Sequence, residues 1–524
     1  MISSFSSQSF VFSLGALLMT SCGTDQSSQN TSDPIKQPNI LIAISDDQSY
    51  PHASVYGSKM LNTPAFDRVA AQGVLFTNAY VASPGCAPSR AALLTGMNCW
   101  QIEEAGTHGS RFPLEYTVYP DILEEADYYI GYTQKGWSPG DWEISGRNRN
   151  PAGNRHNVFS LEPPTTGIVI TDYAANFIDF MEKRPEEKPF YFWYGSSEPH
   201  RVFEKGSGMR AGKDLQDAEV PGFLPDTPEI RSDLLDYALE IEWFDEHLGK
   251  MIDYLEENGE LQNTIIVVTS DNGMAFPRAK ANLYDHGIRV PLAVMWGENI
   301  NPGTVSDELV SLLDLKPTFL EAAGIELDGH PHLQGKSLIP LLKGEADQHH
   351  DAVFASRERH SSSRWQNLGY PQRSIRTDDF LYIRNFKPER WPAGAPVRIN
   401  KDGSETGDAY HDIDACPTMD FLVDHKNNDT LAHYFDLSVQ KRPAEEFFDI
   451  KNDPYCLQNL YDNPEFKDQL NEHRRKLGAY LMETNDPRVT GKGDIFESYP
   501  RLRGPMREFP RPDWVDEKKD LLIY

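Results

Sequence analysis

Cysteine is scarce in this chain, five in 524 residues, which excludes a fold held together by a disulfide framework. Basic residues are also few: 50 Lys and Arg stand against 79 Asp and Glu, a formal net charge of −29. That balance argues against nucleic acid as a partner. It also means that any anionic substrate must meet a locally positive site. Long apolar runs are missing, and FVFSLGALLM (10–19) is too short to span a bilayer. No internal repeat of solenoid or propeller length is present. What remains, 39% hydrophobic and 25% charged residues, is the ordinary material of a large globular core.

The short apolar run ends in Met19-Thr20-Ser21-Cys22, and the polar tract GTDQSSQNTSDP follows. This resembles a bacterial lipoprotein signal, although its first residues carry no Lys or Arg. The resemblance implies a signal peptide at 1–21, a lipidated Cys22 and a flexible tether over 22–37. The protein would then be exported, periplasmic or at the cell surface, and would touch the membrane only through its lipid. Cys416 and Cys456 are a candidate disulfide in such a compartment.

Four apolar runs read as buried parallel strands: NILIAIS (39–45), FYFWYG (190–195), TIIVVTS (264–270) and PLAVMW (291–296). Helical patterns lie between them. Thr63-Pro64 starts a short helix that stops before Gly73. An amphipathic helix is expected from about Ser232 to Asn258, with Leu234, Leu235, Ala238, Ile241, Leu248, Met251, Ile252 and Leu255 on its apolar face. The alternation predicts an α/β fold, a mostly parallel sheet flanked by helices. Near residue 345 the chain becomes richer in turns and short strands (AVFAS, 352–356; FLYIRNF, 380–386). The expected boundaries are therefore a larger α/β domain at 38–348 and a smaller α+β subdomain with an extended, packed tail at 349–524.

Two strands end in oxygen donors. NILIAIS delivers Asp46 and Asp47, and TIIVVTS delivers Asp271 and Asn272. Ligands of open α/β sheets bind beyond the carboxyl ends of the strands. Either motif alone would be a turn. Together they form an all-oxygen set suited to a hard cation, Ca²⁺ or Mg²⁺, rather than zinc. The third element is Cys86-Ala87-Pro88-Ser89-Arg90-Ala91-Ala92-Leu93-Leu94-Thr95-Gly96. Pro88 fixes a turn, Ala91 to Leu94 favour helix and Gly96 ends it. Cys86 thus lies at a helix N-terminus, where an unmodified cysteine is expected to be a depressed-pKa thiolate.

The run C-x-P-S-R-x-x-x-L-T-G resembles the signature of type I sulfatases and matches it at every fixed position. The likeness covers most of 38 to about 460. NILIAISDDQ and TSDNGMAFPRAKANLYDHGIRVPL resemble the family's two metal strands, and PFYFWYGSSEPH resembles its central strand. The spacing DNG-x-x-F-P-x-x-K-x-N-L-Y is most similar to the heparan N-sulfatase-like branch, which includes bacterial polysaccharide sulfatases. The resemblance implies an alkaline-phosphatase-like fold and oxidation of Cys86 to formylglycine by a maturation enzyme. It further implies one Ca²⁺ held by Asp46, Asp47, Asp271, Asn272 and residue 86. One oxygen of the hydrated aldehyde would attack sulfur, and the other would expel sulfate afterwards. Arg90, Lys135 and Lys280 would stabilise the charge that develops, and His200 would act as leaving-group acid.

One departure stands out. The family's Lys-x-His pair is matched at Lys135, but the histidine position falls on Trp137 or Ser138. Either His200 covers that chemistry alone or another histidine substitutes, with His108 the candidate; His108 could instead contact substrate or cap a turn. Arg359 and His360, near Arg357, are candidates for the pocket rim. Trp137, Trp365 and Trp391 could stack on sugar faces, with burial in a core as the alternative for each. Asp245 and His247 on the long helix read as structural.

The substrate class implied is a sulfated polysaccharide or its oligosaccharides: an algal glycan such as ulvan or carrageenan, or a glycosaminoglycan, with an O-sulfate favoured. Two other readings stand beside it. One is a phosphodiesterase or phosphonate hydrolase of the same superfamily. The other is a non-catalytic lipoprotein that binds sulfated glycans with Cys86 unmodified.

Overall fold

β1 (Asn39–Ser45), β4 (Phe190–Gly195) and β5 (Thr264–Ser270) are buried at every position, which is why they read as continuous apolar runs. The computed structural model describes residues 37–329 and 332–515; the expected signal peptide, Cys22 and all but the last residue of the tether lie outside them. With β2 (Val74–Tyr80), β3 (Tyr129–Gln134), β6 (Arg289–Met295) and β7 (Thr304–Ser306), these strands form a mixed sheet. Its order is β3-β4-β1-β5-β6-β2-β7, and a two-residue β8 (Val310–Ser311) also pairs with β2.

Side-chain alternation divides the interior into two layers. Ile40, Ile42 and Ile44 of β1 face one cluster, and Leu41 and Ala43 face the other. The first layer holds α2 (Cys86–Thr95), through Ala87, Ala91, Leu93 and Leu94. The second holds α1 (Pro64–Ala71) and the C-terminal half of a long helix, Pro228–Glu257. All eight apolar residues predicted for that helix are fully buried. It begins four residues earlier than expected because Thr227-Pro228 supplies the start. Asp245 accepts hydrogen bonds from the Ala65 and Phe66 amides, which serves the open N-terminus of α1.

Two expectations are corrected. β6 is antiparallel to both β5 and β2, not parallel. The segment between β5 and β6 contains only the four-residue helix Asp285–Ile288, so no crossover helix carries the chain back to the start of the sheet. Cys416 and Cys456 are free thiols. Cys416 Sγ instead accepts the Met419 amide at the start of the helix Pro417–Asp424.

A second sheet contains β9 (Val353–Arg357), β10 (Gln372–Arg376) and β11 (Phe380–Asn385). A small hairpin of β12 (Arg398–Ile399) and β13 (Glu405–Thr406) precedes its last strand, β14 (Glu445–Asp449). The order is β14-β11-β10-β9, antiparallel throughout. The helix Lys467–Glu483 covers one face through Leu470, Leu477 and Leu481. The arm beyond it is packed: the Leu502 amide donates to Gly109 O at 2.7 Å, and Ile399 pairs with Glu508.

Candidate active site

β1 and β5 run side by side in parallel, with Ser45 opposite Ser270. The next residues of each strand therefore meet. The Asp47 amide donates to Asp271 Oδ1 at 3.1 Å, and Asn272 Nδ2 donates to Asp47 Oδ1 at 2.7 Å. Asp47 takes a left-handed φ of 72°, a costly conformation for a residue with a Cβ, as the chain leaves β1.

Cys86 is the first residue of α2, and Gly96 (φ 66°) closes that helix. The Cys86 thiol lies 3.4 Å from Asp46 Oδ1 and 3.7 Å from Asp47 Oδ1. Ligand atoms of Asp46, Asp47, Cys86 and Asp271 all fall within 4.8 Å of one another. Burial, and then the Asp46 and Asp47 carboxylates, push the thiol well above its ordinary pKa. The expected depressed thiolate is thus corrected: the helix N-terminus cannot outweigh burial among carboxylates.

Three cations close the cluster. Lys135 Nζ bonds Asp46 Oδ2. Arg90 donates from Nε to Asp271 Oδ2 at 2.6 Å and from Nη1 to Lys135 O at 2.7 Å. Lys280 Nζ reaches Asp47 Oδ2 at 2.6 Å and Asp414 Oδ2 at 2.9 Å. Burial alone would raise Asp46, but Lys135 holds it below the usual carboxylate value. Burial alone would lower Lys280, but Asp414 and Asp47 raise it well above the ordinary value. Gly195 makes this approach possible, since a Cβ there would lie 1.9 Å from Lys135 O.

The His200 ring carries its Nδ1 proton toward Arg201 O at 2.6 Å, which leaves Nε2 facing Asp47 Oδ2 at 3.8 Å. Two polar atoms of the cluster have no partner although buried: Asn272 Oδ1, an acceptor, and Arg90 Nη2, a donor. An orphaned carbonyl oxygen beside three carboxylates fits a divalent cation. An orphaned guanidinium N–H fits an anion.

The remaining candidates sit around this core. His108 and His360 pack ring to ring, 4.8 Å between centroids. A Cβ on Gly85, the residue before Cys86, would lie 3.2 Å from His360 Cδ2. Arg359 is buried, and its guanidinium is taken up by Tyr499 O, Ser110 Oγ and Pro500 O, so it anchors the C-terminal arm rather than a rim. Trp137 is sealed in the core, with Nε1 donating to Ala87 O. Sequence reasoning missed Asp414, the second partner of Lys280, and Asp412, which bonds Arg357 and Arg364. GDAYHDIDAC carries no motif that marks either one.

The sulfatase family model matches residues 38–325, which contain every member of the cluster except Asp414. The chain belongs to the sulfatase family. A model of the N-sulphoglucosamine sulphohydrolase C-terminal region matches residues 278–429. An ulvan-active sulfatase of Formosa agariphila is 27% identical, over 86% of this chain and 76% of its own. Human N-sulphoglucosamine sulphohydrolase is 28% identical, over 88% and 93%. Among solved structures, a complex with D-glucosamine-2-N,6-O-disulfate superposes with TM-score 0.61 at 20% identity, covering 86% of this chain and 99% of that one. A 2-O glycosaminoglycan sulfatase gives TM-score 0.60 at 19% identity, over 87% and 94%. This sulfatase is a sulfuric-ester hydrolase on an alkaline-phosphatase-like fold, and no helix among its described residues is long and apolar enough to cross a membrane.

Proposed function

We propose that this sulfatase removes sulfate from a sulfated polysaccharide or its oligosaccharides, an algal glycan of the ulvan type or a glycosaminoglycan. The observation that carries the reading is the cluster of Asp46, Asp47, Asp271 and Cys86 closed by Lys135, Lys280 and Arg90. It can take both a cation and an anionic ester inside an acidic protein.

Asp46, Asp47, Asp271 and Asn272 would hold Ca²⁺, with Mg²⁺ the other hard cation of this class. When bound, the ion polarises sulfuryl oxygens and favours ionisation of nearby hydroxyls. Matured to formylglycine, residue 86 supplies a hydrated aldehyde as nucleophile in place of a poorly ionised thiol.

The other residues bind, orient and move protons. Lys135 and Lys280 flank Cys86 through Asp46 and Asp47 and offer N–H groups to the sulfuryl oxygens. Arg90 Nη2 offers a further donor. Arg90 also fixes the Lys135 loop through Lys135 O and Gly136 O. His200, charged, would donate Nδ1–H to Arg201 O and Nε2–H to the departing sugar oxygen, with Asp47 stabilising the imidazolium. Asp414 holds Lys280 in place. His108 and His360 line the approach to residue 86. Export with a lipid on Cys22 would bring the enzyme to polymer outside the cytoplasm.

The test is inorganic sulfate released from ulvan, carrageenan and glycosaminoglycan oligosaccharides by protein coexpressed with a formylglycine-generating enzyme. Release by wild type and none by Cys86→Ala is expected. Hydrolysis of phosphodiesters to phosphomonoesters, with no sulfate from any glycan, would overturn the reading. So would glycan binding without turnover by the matured protein.

A further inference from the structure

A cavity of about 580 Å³ lies apart from the Cys86 cluster. Trp365, Trp391 and Trp514 line it, with Arg364, Arg390 and Lys441 among them. One wall is the C-terminal arm, residues 510–514. These tryptophans are not sealed in a core: Trp365 and Trp391 are half-buried, and Trp514 is 37% exposed. Trp365 stands at a turn whose next residues, Gln366 and Asn367, take φ of 49° and 61°. Such backbone is costly without glycine, so the turn is held by its surroundings.

Arg364 is engaged by Trp391 O, Pro392 O and Asp412, and Glu405 and Asp513 share the lining, while Lys441 and Arg390 stand beside the rings. Lys441 Nζ stands 5.2 Å from the centre of the Trp391 ring. Arg390 lies 5.7 Å from the Trp514 ring, anchored behind by Glu497 at 2.7 Å. Aromatic faces beside ammonium and guanidinium groups suit a sugar ring bearing carboxylate or sulfate: the ring's C–H face stacks while its anionic group meets the cations.

Buried side chains link the wall of this cavity to the surroundings of residue 86. Arg364 donates to Asp412 Oδ2 at 2.7 Å. Asp412 Oδ1 lies 3.5 Å from His360 Nδ1, and the His360 ring rests against Gly85, the residue before Cys86.

We propose that this cavity is a second saccharide subsite: it holds a non-reacting unit of an anionic oligosaccharide while another unit of the same chain presents its sulfate at residue 86. The proposal rests on the sulfated-glycan reading above.

The test uses the full, matured enzyme and Trp365→Ala, Trp514→Ala and Lys441→Ala. Substrates are p-nitrophenyl sulfate and sulfated di- and tetrasaccharides from ulvan and from heparan sulfate. Loss of one stacking or cationic contact should raise KM for the accepted tetrasaccharide about ten-fold. Its kcat, and all turnover of the aryl sulfate, should stay as in wild type. Unchanged KM for the tetrasaccharide, or equal losses on both substrates, would overturn the subsite. Fluorescence titration of Cys86→Ala with the same tetrasaccharides is scored independently of turnover. Quenching weakened by Trp365→Phe or Lys441→Ala supports the subsite, and quenching untouched by either refutes it. Absence of sulfate release with quenching intact would instead count against the reaction assigned to residue 86.

Discussion

Arg90 and Asp271 face each other across the two main halves of the site, Nε 2.6 Å from Oδ2, with side chains 0% and 1% exposed. Removing one member of so enclosed a pair leaves a buried charge, at a cost of roughly 3–5 kcal/mol. Arg90→Ala should therefore lower the melting temperature as well as kcat. Arg90→Lys should keep much of the stability and still lose about a hundred-fold in kcat, because the bonds to Lys135 O and Gly136 O go with the guanidinium. Equal melting temperatures for wild type and Arg90→Ala would refute the first expectation.

His200 should matter in proportion to how badly the leaving group needs a proton. His200→Gln is expected to reduce sulfate release from a sugar sulfate by roughly 10²-fold or more. The same change should cost far less on an aryl sulfate, whose phenolate leaves unaided. Equal losses on both substrates would assign His200 to binding rather than to proton transfer.

Metal removal should weaken the fold as well as the reaction. Asp46, Asp47 and Asp271 place ligand atoms within 4.8 Å of one another, and Asn272 Oδ1 has no partner within the protein. Ca²⁺ at a hundred times its Kd should add about 2.7 kcal/mol of stability. A calcium titration of the chelated protein, followed by melting temperature, should rise in wild type and lie flat in Asp47→Asn/Asp271→Asn. A rise of the same size in that variant would place the ion elsewhere.

Acid stability should depend on Glu497. It is 2% exposed, bonds Arg390 and Arg488, and accepts the Gly369 amide. Burial alone would raise its pKa, but Arg390 and Arg488 bring the carboxyl from 4.5 down to about 2. A depressed folded-state pKa stabilises the fold above the unfolded value. That stability, roughly 3 kcal/mol, is lost as pH falls from about 4.5 through about 2. Glu497→Gln should melt lower than wild type at neutral pH, and the gap should narrow across that window. A gap independent of pH would refute the assignment.

Much of this was legible in the chain because buried strands announce themselves. NILIAIS, FYFWYG and TIIVVTS contain few polar residues until the sheet edge, so Asp46, Asp47, Asp271 and Asn272 stand out where the runs stop. The proline-serine-arginine step after Cys86 is equally plain, since it combines a turn with a helix start. The direction of β6 was not legible: an apolar run has no arrow, and only the connection before it decides. Asp414 was hidden because its partner Lys280 lies 134 residues earlier in the chain. The environment of the Cys86 thiol is not legible either, because local sequence shows the helix terminus but not the carboxylates that crowd it. Arg359 lies in a basic, polar stretch that reads as surface, yet in the fold its guanidinium turns inward to Ser110 Oγ and the Tyr499 and Pro500 carbonyls.

The pairing of β1 with β5, Ser45 opposite Ser270, has a meaning beyond position. A slip of one residue between these strands would turn the donors at their ends to opposite faces of the sheet. Only a correctly zipped sheet can gather Asp46, Asp47, Asp271 and Asn272 around one point. Uptake of the cation proposed for this site would then be a readout of folding fidelity: a chain with the wrong strand alignment would bear the right residues and still fail inspection by the ion.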